Sequence, residues 1–252
     1  MPCISATIIT LNEERNIARA IRSLGCADEV IVVDSGSADD TVAISRSLGA
    51  RVATHGFEGF AAQKNYATAQ ARYDWVLSLD ADEELDSVAQ QAVRQWRMAA
   101  PQANGYRFAR CARYLGRWIR HSGWYPDHKV RLYDRRQGEW RGAYVHESVL
   151  VRGAVEALPG EILHYTCDSL REHRERIEFY TDLAAREMLE QGRRVPAAGR
   201  IVLPAWIFLE TYLIKGGILD GSQGFWIARL AAHYVARKFE KLQAMQRGDR
   251  RT

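Results

Sequence analysis

The sequence predicts an α/β protein: a mostly parallel sheet with helices on both faces, followed by a helical C-terminal extension. Three observations carry this expectation. Short runs rich in β-branched residues alternate with segments whose apolar residues recur at helical spacing. Successive runs end in loops of small, polar and acidic residues, as parallel strands do where their carboxyl ends meet ligands. Beyond residue 192 the composition turns basic and aromatic.

Ile4–Thr10 is the first strand, by its β-branched content. The loop Leu11-Asn12-Glu13-Glu14-Arg15-Asn16 follows, with Asn12 as cap of a helix whose buried face is Ile17, Ala20, Ile21 and Leu24. Glu29–Val33 is the second strand and ends at Asp34–Thr41, a loop with a permissive glycine and several capping residues. A helix through Ile44 and Leu48 leads to a third strand at Arg51–Thr54, and Phe60–Ala71 is helical. The fourth strand, Trp75–Leu79, runs straight into Asp80-Ala81-Asp82-Glu83. After a helix around Val88–Met98, alternating strands are expected at Tyr106–Arg110, Lys129–Tyr133 and Val149–Val151, the last entered through Ala143–Ser148. Tyr114–Tyr144 is dense in Trp, Tyr, Arg and Gly, and its aromatics and arginines, Trp124 and Arg131 among them, suit a sugar- or phosphate-bearing acceptor. An aromatic core with a solvated basic rim explains them equally well. Ser169–Gln191 is an amphipathic helix and Gly192–Gly199, with Pro196, a hinge. Ile201–Ile214 is an apolar run broken by Pro204 and Glu210. A final helix from near Phe225 carries Trp226, Leu230, Tyr234 and Phe239 among Arg229, Arg237, Lys238 and Lys241.

Composition bounds the function. A chain of 252 residues with 47% hydrophobic content builds one sizeable core with at most a small appendage. The net charge of +4 is uneven: residues 192–252 carry 11 Lys/Arg against 4 Asp/Glu, which leaves −3 on the rest. Such a tail suits an anionic partner. Aromatics interleaved with cations fit a membrane interface, the alternative being a helical hairpin packed on the domain. Nucleic acid is not expected, because the positive charge is mixed with apolar surface rather than gathered in a stripe. Cys3, Cys26, Cys111 and Cys167 show no metal or disulfide spacing and read as buried thiols of a reducing compartment. No secretory signal is visible, and no window reaches the roughly 20 apolar residues of a membrane-spanning helix. A cytoplasmic location is expected. The first loop, Thr10–Arg15, lacks G-x-G-x-x-G, which argues against nicotinamide or flavin chemistry, and there is no P-loop.

Asp80 and Asp82, one residue apart at a strand end, can hold a divalent cation through hard oxygens and leave positions for phosphates. In isolation such a pair is more often a solvated acidic turn. Its company changes that. Thr10-Leu11-Asn12-Glu13, Val32–Thr41 and Leu79–Glu83 together resemble the nucleotide-sugar-dependent glycosyltransferases of family 2, which carry an N-E loop, a D-G-S-x-D-x-T loop and a D-x-D in this order. Here the second motif reads Asp34-Ser35-Gly36-Ser37, with an extra serine before the glycine, and the resemblance spans roughly residues 4–150. Within that family the chain is similar to small bacterial lipopolysaccharide-core enzymes, including β-1,4-glucosyltransferases. Gln63-Lys64-Asn65, Tyr125-Pro126-Asp127, Arg131-Leu132-Tyr133, Val145-His146-Glu147 and Gly216–Gly221 carry that finer likeness.

The resemblance implies a Rossmann-like GT-A domain over residues 1–191, with a donor half to about 100 and an acceptor half beyond; the basic, aromatic residues 192–252 are expected to form a membrane-associating tail. It implies an inverting transfer of a hexose, glucose first, from a UDP-sugar to a lipid-linked saccharide, on the inner face of the cytoplasmic membrane. Thr10, Leu11, Asn12, Glu13 and Asp34 would border the nucleotide. Lys64 would neutralise diphosphate charge, an exposed helix lysine being the alternative. Asp80, Ala81 and Asp82 would face the ribose and a Mg²⁺ or Mn²⁺ ion, with His146 as a further ligand. Inversion in one displacement needs a carboxylate base; Glu147 is preferred and Asp127 is the alternative. A polyprenyl-phosphate or exopolysaccharide acceptor, or a catalytically silent sugar-nucleotide binder on the same fold, are the competing functions.

Overall fold

Alternation of apolar side chains along the first strands lets one sheet bury both of its faces. The computed structural model describes residues 1–142, 147–194 and 199–248. They fall into two compact units: residues 1–111 with 127–165, and residues 112–126 with the described residues from 166 onward.

The first unit is built from β1 (Ile4–Thr10), α1 (Ile17–Ser23), β2 (Glu29–Asp34), α2 (Thr41–Ser47), β3 (Arg51–Thr54), α3 (Phe60–Ala69), β4 (Trp75–Asp80), β5 (Glu83–Leu85) and α4 (Ser87–Met98). It continues with most of β6 (Gly105–Tyr114), then, beyond β7 (Arg117–Trp118) in the second unit, β8 (Asp127–Asp134), β9 (Gly138–Arg141), β10 (Ser148–Val151) and most of β11 (Val155–Cys167). The main sheet runs β3-β2-β1-β4-β8-β6-β11-β5. β3, β2, β1 and β4 are parallel, whereas β8 is antiparallel to both β4 and β6, and β5 is antiparallel to β11. β9 and β10 form a separate antiparallel pair.

On one face Ile4, Ala6 and Ile8 of β1, with Leu77 and Leu79 of β4, pack against α1 and α4. On the other, Ile31, Val33 and Val76 meet Ala67 of α3, Tyr133 of β8 and Trp140 of β9. Each fully buried aliphatic side chain contributes about 1.5–3 kcal/mol. Together they fix β1 and β4 side by side, so the loops after both strands emerge at one sheet edge.

β11 departs from expectation, since Pro159 and Gly160 break its pattern in the sequence. Gly160 adopts φ +91, and a Cβ there would lie 2.1 Å from the backbone nitrogen of Ala89 in α4. The strand therefore passes a helix end where only glycine fits. Cys26, Cys111 and Cys167 are buried thiols, but Cys3 is exposed.

In the second unit, α5 (Leu170–Glu190) packs with α7 (Gly221–Gly248), and α6 (Gly199–Leu209) packs with α7 as well. Ser169–Gln191, expected in the acceptor half of residues 1–191, thus packs with a helix of the 192–252 tail. Glu178 of α5 binds Arg237 at 2.9 Å and Lys241 at 3.1 Å. Leu230 and Phe239, on the helix for which the sequence left a membrane interface and a packed hairpin as alternatives, are buried in this helical packing. α6 gives way to a π-helical turn, Glu210–Ile214, and a 3-10 turn, Gly217–Asp220. Part of the Gly192–Gly199 hinge lies outside the described residues.

Candidate active site

β4 ends at Asp80, and Ala81-Asp82 carries the chain into β5. One Asp80 oxygen, Oδ1, lies 2.7 Å from Lys64 Nζ; the other accepts a hydrogen bond from Arg131 Nη2 at 3.0 Å. The same ammonium reaches Glu147 Oε1 at 2.9 Å, across 83 residues of sequence. Glu83 has a fully buried side chain. Its Oε1 accepts from Arg131 at 2.7 Å and from Arg110 at 3.3 Å, and its Oε2 accepts from the Asp80 backbone N–H at 3.1 Å. Arg110 continues to Asp127 at 2.6 Å, and Lys129 closes the row on the other Asp127 oxygen at 3.1 Å. Glu147, Lys64, Asp80, Arg131, Glu83, Arg110, Asp127 and Lys129 thus alternate in sign.

The alternation follows from burial. Lys64 is 2% exposed and Arg131 3%, and a buried charge without a partner costs several kcal/mol. Burial would push the Asp80 carboxyl up, but Lys64 and Arg131 hold it well below the usual carboxylate range. Asp127 is likewise held low against its burial by Arg110 and Lys129. Trp140 forms the floor, its ring 4.4 Å from Lys64 Nζ and 5.6 Å from the Arg131 guanidinium carbon. Its indole N–H is satisfied by Tyr133 Oη at 2.9 Å.

α3 delivers Lys64 through three consecutive polar residues. Gln63 Nε2 donates to Ser35 Oγ at 3.0 Å, which ties the helix to the loop after β2. Asn65 pairs with both backbone groups of Trp140, at 2.9 and 3.0 Å, which ties it to β9. Lys64, between them, points into the site. It is not the exposed helix lysine that the sequence also allowed.

The loops after β1 and β2 are zipped together. Asn12, at φ +54, accepts from Ala38 N–H at 2.8 Å and donates its own N–H to Ser37 Oγ at 2.8 Å. It does not cap α1, whose N-cap position is Asn16. Glu13 N–H donates to Thr41 Oγ1 at 2.8 Å. Asp34 is buried and accepts from Gly36 and Ser37 N–H at 2.9 and 3.0 Å, so the extra serine is absorbed in a turn around this carboxylate. Thr10 is buried and among the described residues its Oγ1 meets no hydrogen-bond partner, whereas Leu11 is exposed.

Other expected residues fall elsewhere. Arg131 is turned inward onto Asp80 and Glu83 rather than outward to an acceptor, because the two carboxylates outbid solvent for a buried guanidinium. Trp124 belongs to the second unit, where its ring lies edge-on to Tyr114 at 5.4 Å. His146 lies outside the described residues. A different histidine meets the motif: His164 Nε2 of β11 is 3.2 Å from Asp82 Oδ2. Glu83, Arg110, Trp140 and His164 were not singled out in the sequence. Only Glu83 carried a signal there, by adjoining Asp82.

Among the described residues no three His, Cys, Asp or Glu side chains are gathered for a metal ion. The residues nevertheless fit one in chemical type. Asp80 Oδ1 is buried and, among the described residues, meets Lys64 as an ion pair but no hydrogen-bond donor in good geometry, and Asp82 with His164 offers an oxygen and an imidazole beside it. A small hard cation bound by one or two carboxylates takes its other ligands from phosphates and water.

Residues 5–158, more than half of the chain, match Glycosyl transferase family 2. The chain belongs to glycosyl transferase family 2. An uncharacterized glycosyltransferase of Rickettsia typhi is 32% identical over 242 residues, covering 89% of this chain and 81% of that one. The lipopolysaccharide core biosynthesis glycosyltransferase LpsC of Rhizobium meliloti is 31% identical over 244 residues, covering 92% and 88%. Among solved structures, glucosyl-3-phosphoglycerate synthase from Mycobacterium tuberculosis superimposes with a TM-score of 0.35, at 27% identity over 46% of this chain and 45% of that one. In this family 2 transferase, the charge row links the D-x-D turn to both carboxylates considered as base.

Proposed function

We propose that this transferase moves a hexose, glucose first, from a UDP-sugar to a saccharide of the lipopolysaccharide core, with inversion and with the help of Mg²⁺ or Mn²⁺. One observation carries the mechanism: Lys64 bridges Asp80 and Glu147, so the D-x-D turn and a carboxylate from the distant Glu147 segment share one ammonium. Similarity to LpsC over nearly the whole chain supports the acceptor. The nucleotide and the inversion rest on the family resemblance.

Asp82 and His164 would hold the cation, with Asp80 Oδ1 at its edge. A bound divalent cation supplies Lewis-acid stabilisation of the departing nucleoside diphosphate. The chain's own residues do the rest. Lys64 places fixed positive charge beside Asp80, where it can neutralise diphosphate oxygens. Arg131 and Glu83 hold the Asp80 carboxylate and its backbone from below. Glu147 accepts the proton of the attacking hydroxyl, a contribution of ~10²–10⁴-fold for a well-placed base. Asp127 is the weaker candidate, because Arg110 and Lys129 occupy it and depress its basicity.

The test is nucleotide release from UDP-glucose, UDP-galactose, UDP-N-acetylglucosamine, GDP-mannose and ADP-heptose, with core oligosaccharide as acceptor and with or without Mn²⁺. Metal-dependent release from one donor, lost in Asp82→Ala, supports the proposal. Turnover on undecaprenyl phosphate but not on core oligosaccharide would replace the acceptor. UDP binding without any turnover would point to a silent site.

A further inference from the structure

The second unit carries an exposed apolar surface that contains no member of the charge row. Residues 201–209 contain no polar side chain, and no residue of α6 is buried. Ile201 (77%), Val202, Trp206 and Leu209 are exposed on α6, and Ile214 (68%) and Leu219 (62%) on the turns that follow. At roughly 100° per residue, the four α6 positions with Leu203 spread over about 200° of the helix, wider than the stripe of a helix seated in a protein groove. No single helix of the chain is long and apolar enough to cross a membrane. The segments Gly199–Ile214 and Gly217–Arg247 are bent by 69° to one another, and α7 is committed to α5 through Glu178. An 11-residue α6 extends only about 16 Å, half of a hydrocarbon core.

Charge favours lipid over a second copy of the chain. Residues 192–252 carry 11 Lys/Arg against 4 Asp/Glu. Of those carboxylates Asp220 is buried, taking hydrogen bonds from Ser122 Oγ at 2.7 Å and the His121 N–H at 3.1 Å, and Glu210 is paired with Lys215 at 2.9 Å. Arg193 and Arg194, just before α6, are exposed, and among the described residues neither meets a carboxylate. Two identical faces of this sign would repel, whereas an anionic headgroup layer would attract them.

We infer that α6 and the turns after it form a wedge that enters one leaflet of an anionic membrane, with α7 as its buried backing and not a second inserting helix. Trp206 sits at headgroup depth, where an indole is favoured. Membrane docking stands apart from the catalytic proposal, because UDP binding reports on one and vesicle binding on the other.

The experiment is flotation of the full chain with vesicles of phosphatidylcholine alone or mixed with phosphatidylglycerol. The wild type is expected to float with the anionic vesicles, and Ile201→Asp/Trp206→Asp to bind at least tenfold more weakly with an unchanged melting temperature. Independently of variant folding, brominated lipid is expected to quench wild-type tryptophan emission more than that of Trp206→Phe. Equal binding by the double variant, absence of wild-type flotation, or equal quenching in Trp206→Phe would overturn the wedge. So would a lipid-free wild-type dimer that the double variant dissociates, which would assign the face to a second copy.

Discussion

A buried ammonium needs negative charge in place of its lost hydration, and Lys64 obtains it from Asp80 and Glu147. The charge-assisted hydrogen bond to Glu147 is of a kind that contributes about 1.5–3 kcal/mol. Lys64→Met is therefore expected to lower kcat/KM for the donor by roughly 10- to 150-fold. Lys64→Arg is not expected to rescue it, since a planar guanidinium needs more width than the gap between the Trp140 ring and two carboxylates provides. Steady-state kinetics on the two variants check this. Wild-type kcat/KM in Lys64→Met would remove the lysine from the site.

At the scale of elements, α3 shows why a site is only partly legible in a sequence. Its weak amphipathicity gave no reason to bury Gln63 and Lys64, yet these and the half-buried Asn65 are each used by a different neighbour: the β2 loop, the D-x-D turn and β9. The parallel strands and their loops were legible because short-range pattern fixes them. Arg110 and His164 were not, because they reach the site only when β6, β8 and β11 pair at long range, and β11 hides behind Pro159 and Gly160. α5 carries a second consequence. Burial, reinforced by Arg176, pushes His173 down to about 4, and its Nδ1 lies 2.8 Å from Tyr114 Oη. The unfolded chain titrates near 6.5 there, so the stabilisation is complete above about pH 6.5 and is lost as pH falls toward about 4. The wild-type melting temperature is expected to drop across that window. His173→Gln, less stable at pH 7 by about 1 kcal/mol, is expected to lose that part of the slope. Identical slopes would contradict this role.

At the scale of the whole molecule, the chain leaves the first unit at residue 112, returns at 127 and leaves again after 165. The second unit is therefore not a detachable tail. Ending the chain at residue 191 would strip α6 and α7 from α5 and expose the buried Ile177, Thr181 and Ala185. Such a truncation is expected to aggregate rather than yield a soluble transferase, as size-exclusion chromatography would show. A monodisperse fragment with wild-type UDP binding would contradict it. One row of charges brings Glu147 to Asp80 through Lys64 and ties Asp127 to Arg110. Its most direct test is single-turnover transfer by Glu147→Gln and Asp127→Asn, with donor affinity measured in parallel. Loss of ~10²–10⁴-fold in Glu147→Gln at near wild-type donor affinity, with a smaller effect in Asp127→Asn, is the predicted result. Full activity in Glu147→Gln together with loss in Asp127→Asn would contradict it.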